Sequence, residues 1–310
     1  MKKNKFLKVF SSAVALSVVL AGCSSSSNNS SSTKGAKPKV EFKTSVDNGG
    51  NLKEGQTLKY GILSSTPLTG LWNVVFSDQA TDQFVNQNVM GGTFPTDAEG
   101  RAKLDKEDAP VKMHLDREKN EVTLTIHKDL KWNNGENVTS KDIVATYELM
   151  GNPKFTTNVR YNDSYEFIEG MKEYHEGKAS SISGIQVKDD RTVVVKYNQL
   201  RPSIQWGEGM VTDFLNAKQV AEASKDFTKF VEAELNKKPL SYGPYYITKE
   251  VNGESVLAEA NPHYYQKDKV KTKKVEFKVV APAQASSVIK AGEVDIIESV
   301  TSGVYDSSKE

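Results

Sequence analysis

The chain has 310 residues, with 41 basic and 40 acidic side chains and a formal net charge of +1. This balance lacks the basic excess that nucleic-acid-binding domains carry, so we expect no nucleic-acid partner. The composition includes 1 cysteine, Cys23, which excludes an intrachain disulfide and leaves stability to an apolar core.

Residues 1–22 are predicted to be a secretion signal. Basic residues at the start are followed by an apolar run over residues 9–20, an order typical of signal peptides. The run is too short for a membrane span, which needs about 20 apolar residues. Leu20-Ala21-Gly22-Cys23 resembles the lipobox of bacterial lipoproteins. The resemblance implies cleavage before Cys23 and lipidation of Cys23, with palmitate among the acyl chains; the alternative is an ordinary signal with a chance cysteine.

Residues 23–55 are predicted to be a flexible linker. Residues 24–33 are almost entirely Ser and Asn, a composition that cannot bury enough apolar surface to fold. Such a segment would hold a folded body away from the membrane. Lipid chains on Cys23 would place that body at the extracytoplasmic face of the cell membrane.

The remainder predicts an α/β domain of alternating strands and helices. Apolar alternation predicts strands at 57–62, 111–115, 122–126, 185–187, 193–197, 255–260 and 275–279. Helical spacing predicts helices from Ser77 and over 215–235. A third helix should begin at Thr139, because Thr139 and Asp142 have the spacing of a capping box.

The loop after the first predicted strand is the candidate ligand site. Loops that join a strand to a helix bind ligands in open α/β sheets. Hydroxyl groups here can form hydrogen bonds and Trp72 can pack against an apolar group. An equally good interpretation is a connecting loop with a core tryptophan. The residues predicted to bind ligand are Ser64, Ser65, Thr66, Leu71, Trp72 and Phe94.

No pattern in the sequence indicates catalysis, a metal or a cofactor. The 4 histidines are widely spaced and none lies near the cysteine, so they give no zinc pattern. Asp189 and Asp190 are neighbours in a predicted turn, where they favour the turn itself. Lysines over 267–278 alternate with apolar residues, which favours the solvated side of a strand over a surface for anionic lipid or protein.

Four motifs, in order, resemble the peptide-binding receptors of ABC importers, the bacterial extracellular solute-binding proteins of family 5. The first runs from Thr125 to Asn134-Gly135 and on to Asp142-Ile143-Val144; Asn134 stands where the family often has Asp. The others are Gly243-Pro244-Tyr245, Asn261-Pro262-His263-Tyr264-Tyr265 and Ala291-Gly292-Glu293-Val294-Asp295-Ile296.

The resemblance implies a periplasmic-binding-protein-like fold of two lobes that close on a peptide held through its backbone. Residues 56–280 would form the first lobe, with an inserted subdomain at about 79–184. Residues 281–310 would begin a second lobe that is largely missing, so we expect a truncated receptor that by itself binds peptide weakly or not at all. The peptide would pass to a permease with ATPase subunits. Alternatives are a non-transporting surface or peptide-signalling protein and, less favoured, a secreted enzyme.

We predict that Cys23→Ala releases the protein from the membrane, because the thiol that would carry the lipid is gone. Fractionation of cells followed by immunoblotting measures the distribution between membrane and soluble fractions. Ser24→Ala, which keeps the leader and the cysteine, is the matched control. A Cys23→Ala protein that still pellets with the membranes would show that the lipobox interpretation is wrong.

Overall fold

The computed structural model describes residues 55–308, which form nine strands and seven α-helices. The predictions for Cys23 and for residues 1–22 lie outside these residues, as does nearly all of the predicted linker. Within residues 55–308, no helix combines the length and apolar character that a membrane crossing requires.

A five-stranded mixed sheet, the first sheet, is built from the two ends of this region. Strand β1 (Thr57–Leu63) lies parallel to β8 (Lys274–Val280) over seven paired residues and to the short β9 (Ile296–Ile297). Strands β6 (Tyr245–Val251) and β7 (Ser255–Ala260) continue it antiparallel, in the order β6-β7-β8-β1-β9.

Four antiparallel strands form the second sheet, in the order β2-β3-β5-β4. The strands are β2 (Val111–Asp116), β3 (Glu121–Ile126), β4 (Ile185–Asp189) and β5 (Thr192–Lys196). Both predicted hairpins are present, and the alternation in β3 buries Val122, Leu124 and Ile126 completely.

Seven α-helices lie in the segments between and after the strands. They are α1 (Ala80–Met90), α2 (Ser140–Met150), α3 (Met171–His175), α4 (Ala217–Ala223), α5 (Glu234–Lys237), α6 (Ala285–Lys290) and α7 (Ser302–Ser308). Val85 and Val89 of α1 join the core of the first sheet. Ile143 and Tyr147 of α2 join that of the second.

The bounds predicted for the inserted subdomain, 79 and 184, stay a prediction, whereas the second sheet begins with β2 at Val111 and includes β5, which ends at Lys196. Helix α1 contributes Val85 and Val89 to the core of the first sheet and Met90 to that of the second. Strand β5 lies between β3 and β4 and joins them into one sheet. The second sheet is therefore complete only at residue 196. Its core also takes in Phe214 and Tyr242 from later in the chain.

The single helix predicted over 215–235 is wrong. The chain forms α4, a 3-10 helix (Phe227–Glu232) and α5. Asp226 accepts a hydrogen bond from the Thr228 amide and starts the new turn. Phe227 and Phe230 then pack on Phe155, with Phe155–Phe230 ring centroids 4.3 Å apart. Packing of these rings, rather than helical periodicity, sets the local conformation.

The capping box predicted at Thr139 is confirmed, and its carboxylate also forms a hydrogen bond with a second helix. The Asp142 carboxylate accepts the Thr139 amide at 2.7 Å and the Ala217 amide, at the start of α4, at 2.8 Å. Burial raises the pKa of Asp142, partly offset by these hydrogen bonds. One carboxylate therefore joins the starts of α2 and α4.

We predict that Asp142→Ala lowers the free energy of unfolding by about 2 to 4 kcal/mol, because it removes a cap and leaves two amide donors unpaired. Chemical denaturation followed by circular dichroism measures the change. Asp129→Ala, at a carboxylate with 62% side-chain exposure, is the control and should stay within about 0.5 kcal/mol of the wild type. Equal effects of both substitutions would contradict the role of Asp142.

Candidate functional site

Trp72, predicted to contact ligand, is a core residue of the first sheet. It is 2% exposed, and its indole nitrogen donates to Glu250 Oε2 at 3.1 Å. Leu68 of the same loop is buried beside it. The structure thus matches the other interpretation of this loop, and the Trp72 ring is not available to a ligand.

Polar groups of the same loop hold it in place. Thr69 donates to the buried Asp82 through its amide, at 3.0 Å, and through its hydroxyl. Burial raises the pKa of Asp82, and the bonds from Thr69 oppose that rise. Ser64 Oγ accepts the Thr66 amide at 2.9 Å. Much of the hydrogen-bonding capacity assigned to a ligand is used within the protein.

The predicted ligand residues do not share one cavity. Ser64 lines a cavity of about 220 Å³ at the end of β1, with Phe84 and Glu298. Phe94 lines a different cavity, described below. Ser65 and Thr66 are exposed and Leu71 is half-buried. No single site is formed by this set.

A cleft of about 350 Å³ lies between elements that pack on the two sheets, and we call it the inter-sheet cleft. Gln83 and Gln87 of α1 form one wall, and Met150 of α2 contributes to another. The other lining residues are Val74, Val75, Arg160, Asn162, Tyr165, Trp206, Gly207, Met210, Val211, Thr212 and Asp213. Most of the surface that the cleft exposes is polar.

Several buried polar atoms in or beside the cleft lack a hydrogen-bond partner within the protein. They are Arg160 Nε, Asn73 Nδ2, Ser77 Oγ and the Tyr161 hydroxyl. Arg160 is held in position because its Nη2 donates to the Ser77 carbonyl. An unpaired buried polar group costs about 1 to 3 kcal/mol. Of these four residues, Arg160 lines the cleft, and its side chain is half-buried.

A second cavity, which we call the side pocket, adjoins the cleft. It measures about 190 Å³ and shares Trp206, Gly207, Met210, Thr212 and Asp213 with the cleft. Its remaining walls are Gly92, Thr93, Phe94, Thr96, Gly100, Ala102, Met113, Ile204 and Gln205. The side pocket is therefore mostly apolar and opens beside the polar cleft.

Asp213 lies where the two cavities meet. Its Oδ1 accepts the Thr93 hydroxyl at 2.8 Å. Thr93 also bonds the Tyr242 hydroxyl, which in turn accepts the Phe214 amide at 3.1 Å. Burial raises the pKa of Asp213 to about 6, against the opposing effect of these hydroxyl donors. The carboxyl is fixed in space and titrates unusually close to neutrality.

Two glycines give the 206–213 segment its course along both cavities. Gly207 and Gly209 have φ angles of +86° and +67°, which other residues rarely adopt. A Cβ at Gly209 would lie 2.4 Å from the Ser164 carbonyl oxygen. The turn leaves Trp206 56% exposed at the rim of both cavities.

Sequence reasoning missed Arg160, Trp206 and Asp213. A usable signal was present for Asp213, an acid within the largely apolar stretch 210–215. The glycines beside Trp206 were a second signal, because they allow an aromatic ring to be held at a turn. Arg160 had no such signal, since its position depends on a carbonyl distant in sequence.

A further cavity, of about 1200 Å³, lies at the N-terminal ends of β1 and β8. Lys267, Lys271 and Lys273 line it together with Asp268 and Asp295. Of the lysines predicted to be solvated, all are exposed except the half-buried Lys278, and Lys271 and Lys273 donate to nearby backbone carbonyls. We favour the inter-sheet cleft because Arg160 and Asp213 line it and it adjoins a second, mostly apolar cavity.

Metal binding finds no support in the described part of the chain, where no three His, Cys, Asp or Glu side chains are grouped to hold an ion. His114 is exposed and its Nδ1 lies 3.0 Å from Asp105. His127 packs against Tyr265, with ring centroids 4.7 Å apart.

Comparison with known sequences gives a family match. The model for bacterial extracellular solute-binding proteins, family 5 Middle, matches residues 113–310. Oligopeptide-binding protein OppA of Lactococcus lactis subsp. lactis is 32% identical over 319 residues, covering 100% of this chain and 52% of the relative. OppA of Bacillus subtilis is 26% identical over 218 residues, or 68% and 39% of the two chains. The chain thus spans about half the length, or less, of these relatives.

Solved structures agree on the fold. Lactococcal OppA, complexed with an endogenous peptide in the closed conformation, matches with a TM-score of 0.74 at 28% identity, over 83% of this chain and 48% of that chain. AppA from Bacillus subtilis, in complex with a nonapeptide, matches with a TM-score of 0.66 at 20% identity, over 82% and 46%. The predicted α/β class, in the form seen in family 5 structures, is confirmed.

We predict that Asp213→Asn changes how stability depends on pH. The pKa of this carboxyl is higher in the folded than in the unfolded protein, so its contribution to stability grows as the pH falls through about 6. Asparagine cannot titrate. We therefore compare the free energy of unfolding of the variant minus that of the wild type at two pH values. This difference should be higher at about pH 8 than at about pH 4.5, by about 1 to 3 kcal/mol.

Urea denaturation at both pH values measures this difference. Asp78→Asn, at an exposed carboxylate, is the matched control and should show almost none. If Asp213→Asn shifts stability equally at both pH values, the raised pKa is wrong.

Proposed function

Since this chain belongs to the bacterial extracellular solute-binding proteins of family 5, we propose that it binds oligopeptides outside the cytoplasm and delivers them to an ABC permease for uptake. Proteins of this family bind solutes and are not enzymes, in agreement with the lack of a catalytic motif. The relatives with this fold include oligopeptide-binding proteins and structures with bound peptide.

The observation that carries the proposal is the position of the half-buried Arg160 guanidinium in the wall of the inter-sheet cleft. The guanidinium carries five N–H donors, and Nη2 donates to the Ser77 carbonyl. An extended peptide presents a carbonyl oxygen at every residue, so it can accept such donors whatever its side chains are. Recognition through the peptide backbone would let one receptor serve many sequences.

Apolar surface at the same cleft would supply the rest of the contact. Val74 and Val75 follow the buried Trp72, and Met150 and Met210 face the cavity. Methionine adapts its shape to different partners, which suits a site that accepts varied side chains. Exposed Trp206 adds a broad ring at the rim.

We further propose that the receptor is held on the membrane through lipid on Cys23. The support is the basic start, the short apolar run and the Leu20-Ala21-Gly22-Cys23 pattern. Two acyl chains give stable anchoring where one is marginal. The Ser- and Asn-rich linker would then leave the binding domain free to reach the permease and its ATPase subunits.

We predict that short peptides change the fluorescence of Trp206. Of the 3 tryptophans, Trp72 and Trp132 are buried whereas Trp206 is 56% exposed beside the cleft, so ligand in the cleft should alter chiefly its emission. We expect tetra-alanine to bind with a dissociation constant of about 1 mM and free alanine to bind far more weakly. Arg160→Ala should weaken tetra-alanine binding about tenfold by removing a charged donor.

Two variants serve as controls. Trp206→Phe should abolish the fluorescence change, which assigns it to the cleft. Lys188→Ala, which removes an exposed cation from β4, should bind as the wild type does. The proposal fails if tetra-alanine at about 10 mM gives no response or if Arg160→Ala and Lys188→Ala behave alike.

A further inference from the structure

The side pocket combines apolar walls with one ionisable side chain. Phe94, Met113, Ile204 and Trp206 form much of its surface, and Asp213 is the ionisable residue among those that line it. Its volume of about 190 Å³ lies below the roughly 300 Å³ at which sites for whole drug-sized ligands begin. The pocket therefore suits one long side chain of a larger ligand.

The Asp213 carboxylate has hydrogen-bond donors but no cationic partner. Thr93 supplies a hydroxyl at 2.8 Å, and the hydroxyls of Thr212 and Tyr242 also stabilise the charge. Asp213 takes part in none of the ion pairs found over residues 55–308. A carboxylate that is half-buried without a counter-charge attracts a cation more strongly than one in bulk water.

We propose that the side pocket receives a lysine or arginine side chain of the bound peptide, with its cationic group at Asp213. This inference rests on the proposed peptide-binding function and names a side-chain preference within it. The alkyl stem packs along Phe94 and Met113, as long basic side chains do on apolar surfaces. The Trp206 ring, at the rim, attracts the passing charge through its electron-rich face.

Access to the pocket fits this arrangement. The five residues shared between the side pocket and the inter-sheet cleft include Asp213 and Trp206. A peptide whose backbone lies in the cleft can therefore place one side chain in the pocket without leaving its backbone contacts. The positions of Gly207 and Gly209 hold this boundary open, because their φ angles of +86° and +67° set the course of the 206–213 turn.

A purely structural role for Asp213 makes a different prediction. In that case the carboxyl only fixes the 211–215 segment to Thr93, and the apolar pocket prefers an uncharged side chain. Norleucine has an unbranched alkyl side chain like that of lysine but lacks its charge. The two roles are therefore separated by the relative affinities of Ala-Lys-Ala and Ala-norleucine-Ala.

The experiment titrates the whole chain with each tripeptide and follows the methyl resonances of Met113 and Met210 by NMR, which detects weak binding. At about pH 7.5 we expect Ala-Lys-Ala to bind about tenfold more tightly than Ala-norleucine-Ala. In Asp213→Asn the ratio of the two affinities should fall to about one. Asp78→Asn, at an exposed carboxylate, is the control and should keep the wild-type ratio.

Acidification provides a test without mutation. The pKa of Asp213 is raised by burial to about 6, so the lysine preference should disappear at about pH 4.5. Tyr165 and Tyr242 face the same region and stay neutral because burial raises their pKa values further. Arg160, the other charged residue lining the cleft, keeps its charge because arginine is not deprotonated in proteins.

The outcomes separate the two proposals. Equal affinities in the wild type, or a lysine preference that survives both Asp213→Asn and acidification, overturn the side-pocket inference and leave peptide binding intact. Failure of both tripeptides to shift any methyl resonance at about 10 mM overturns peptide binding and the inference with it. Loss of preference under acid alone supports the inference if Asp213→Asn does not fold.

Discussion

The structure depends on the parallel pairing of β1 with β8. These strands lie near opposite ends of the described chain, yet they pair over seven residues from Thr57–Lys274 to Leu63–Val280. Closing such a long loop costs conformational entropy that no local contact repays. Apolar burial repays it, because Ile62, Val275 and Phe277 share a core with Val85 and Val89 of α1. The chain between β1 and β8 is therefore folded within a closed loop.

The inter-sheet cleft is a consequence of this closure. Helix α1 packs on the first sheet through Val85 and Val89, while its last residue, Met90, joins Met150 and Met210 in the core of the second. Where the two packed units meet, their surfaces do not fill all the space, and the cleft remains. The Asp142 carboxylate, in α2, also accepts a hydrogen bond from the Ala217 amide at the start of α4. This bond fixes the position of α2, which carries Met150, relative to α4. The two sheets and their helices thus position the irregular segments that line the cleft, among them residues 206–213.

Charge and hydrogen bonding are used differently in the two candidate ligand regions. In the loop 64–72, the donors of Thr69 and Trp72 form hydrogen bonds with the carboxylates of Asp82 and Glu250, so these donors already have partners within the protein. At the cleft, Arg160 Nε lacks a partner in the protein, and Asp213 has hydroxyl donors without a counter-ion. Arg160 and Asp213 both line the cleft, where a ligand could reach their charged groups. This contrast favours the cleft over the loop.

The sequence by itself determined the local elements and the family. Alternation found β1, both hairpins and β8, and the Thr139–Asp142 spacing found the start of α2, because these patterns depend on neighbours within a few residues. Only the tertiary structure decided that Trp72 is core, that the 215–235 stretch breaks into three short helices and that Arg160, Trp206 and Asp213 line one cleft. Burial and cavity shape arise from contacts between residues far apart in the chain. Sequence periodicity depends only on neighbouring residues, so it cannot predict such contacts.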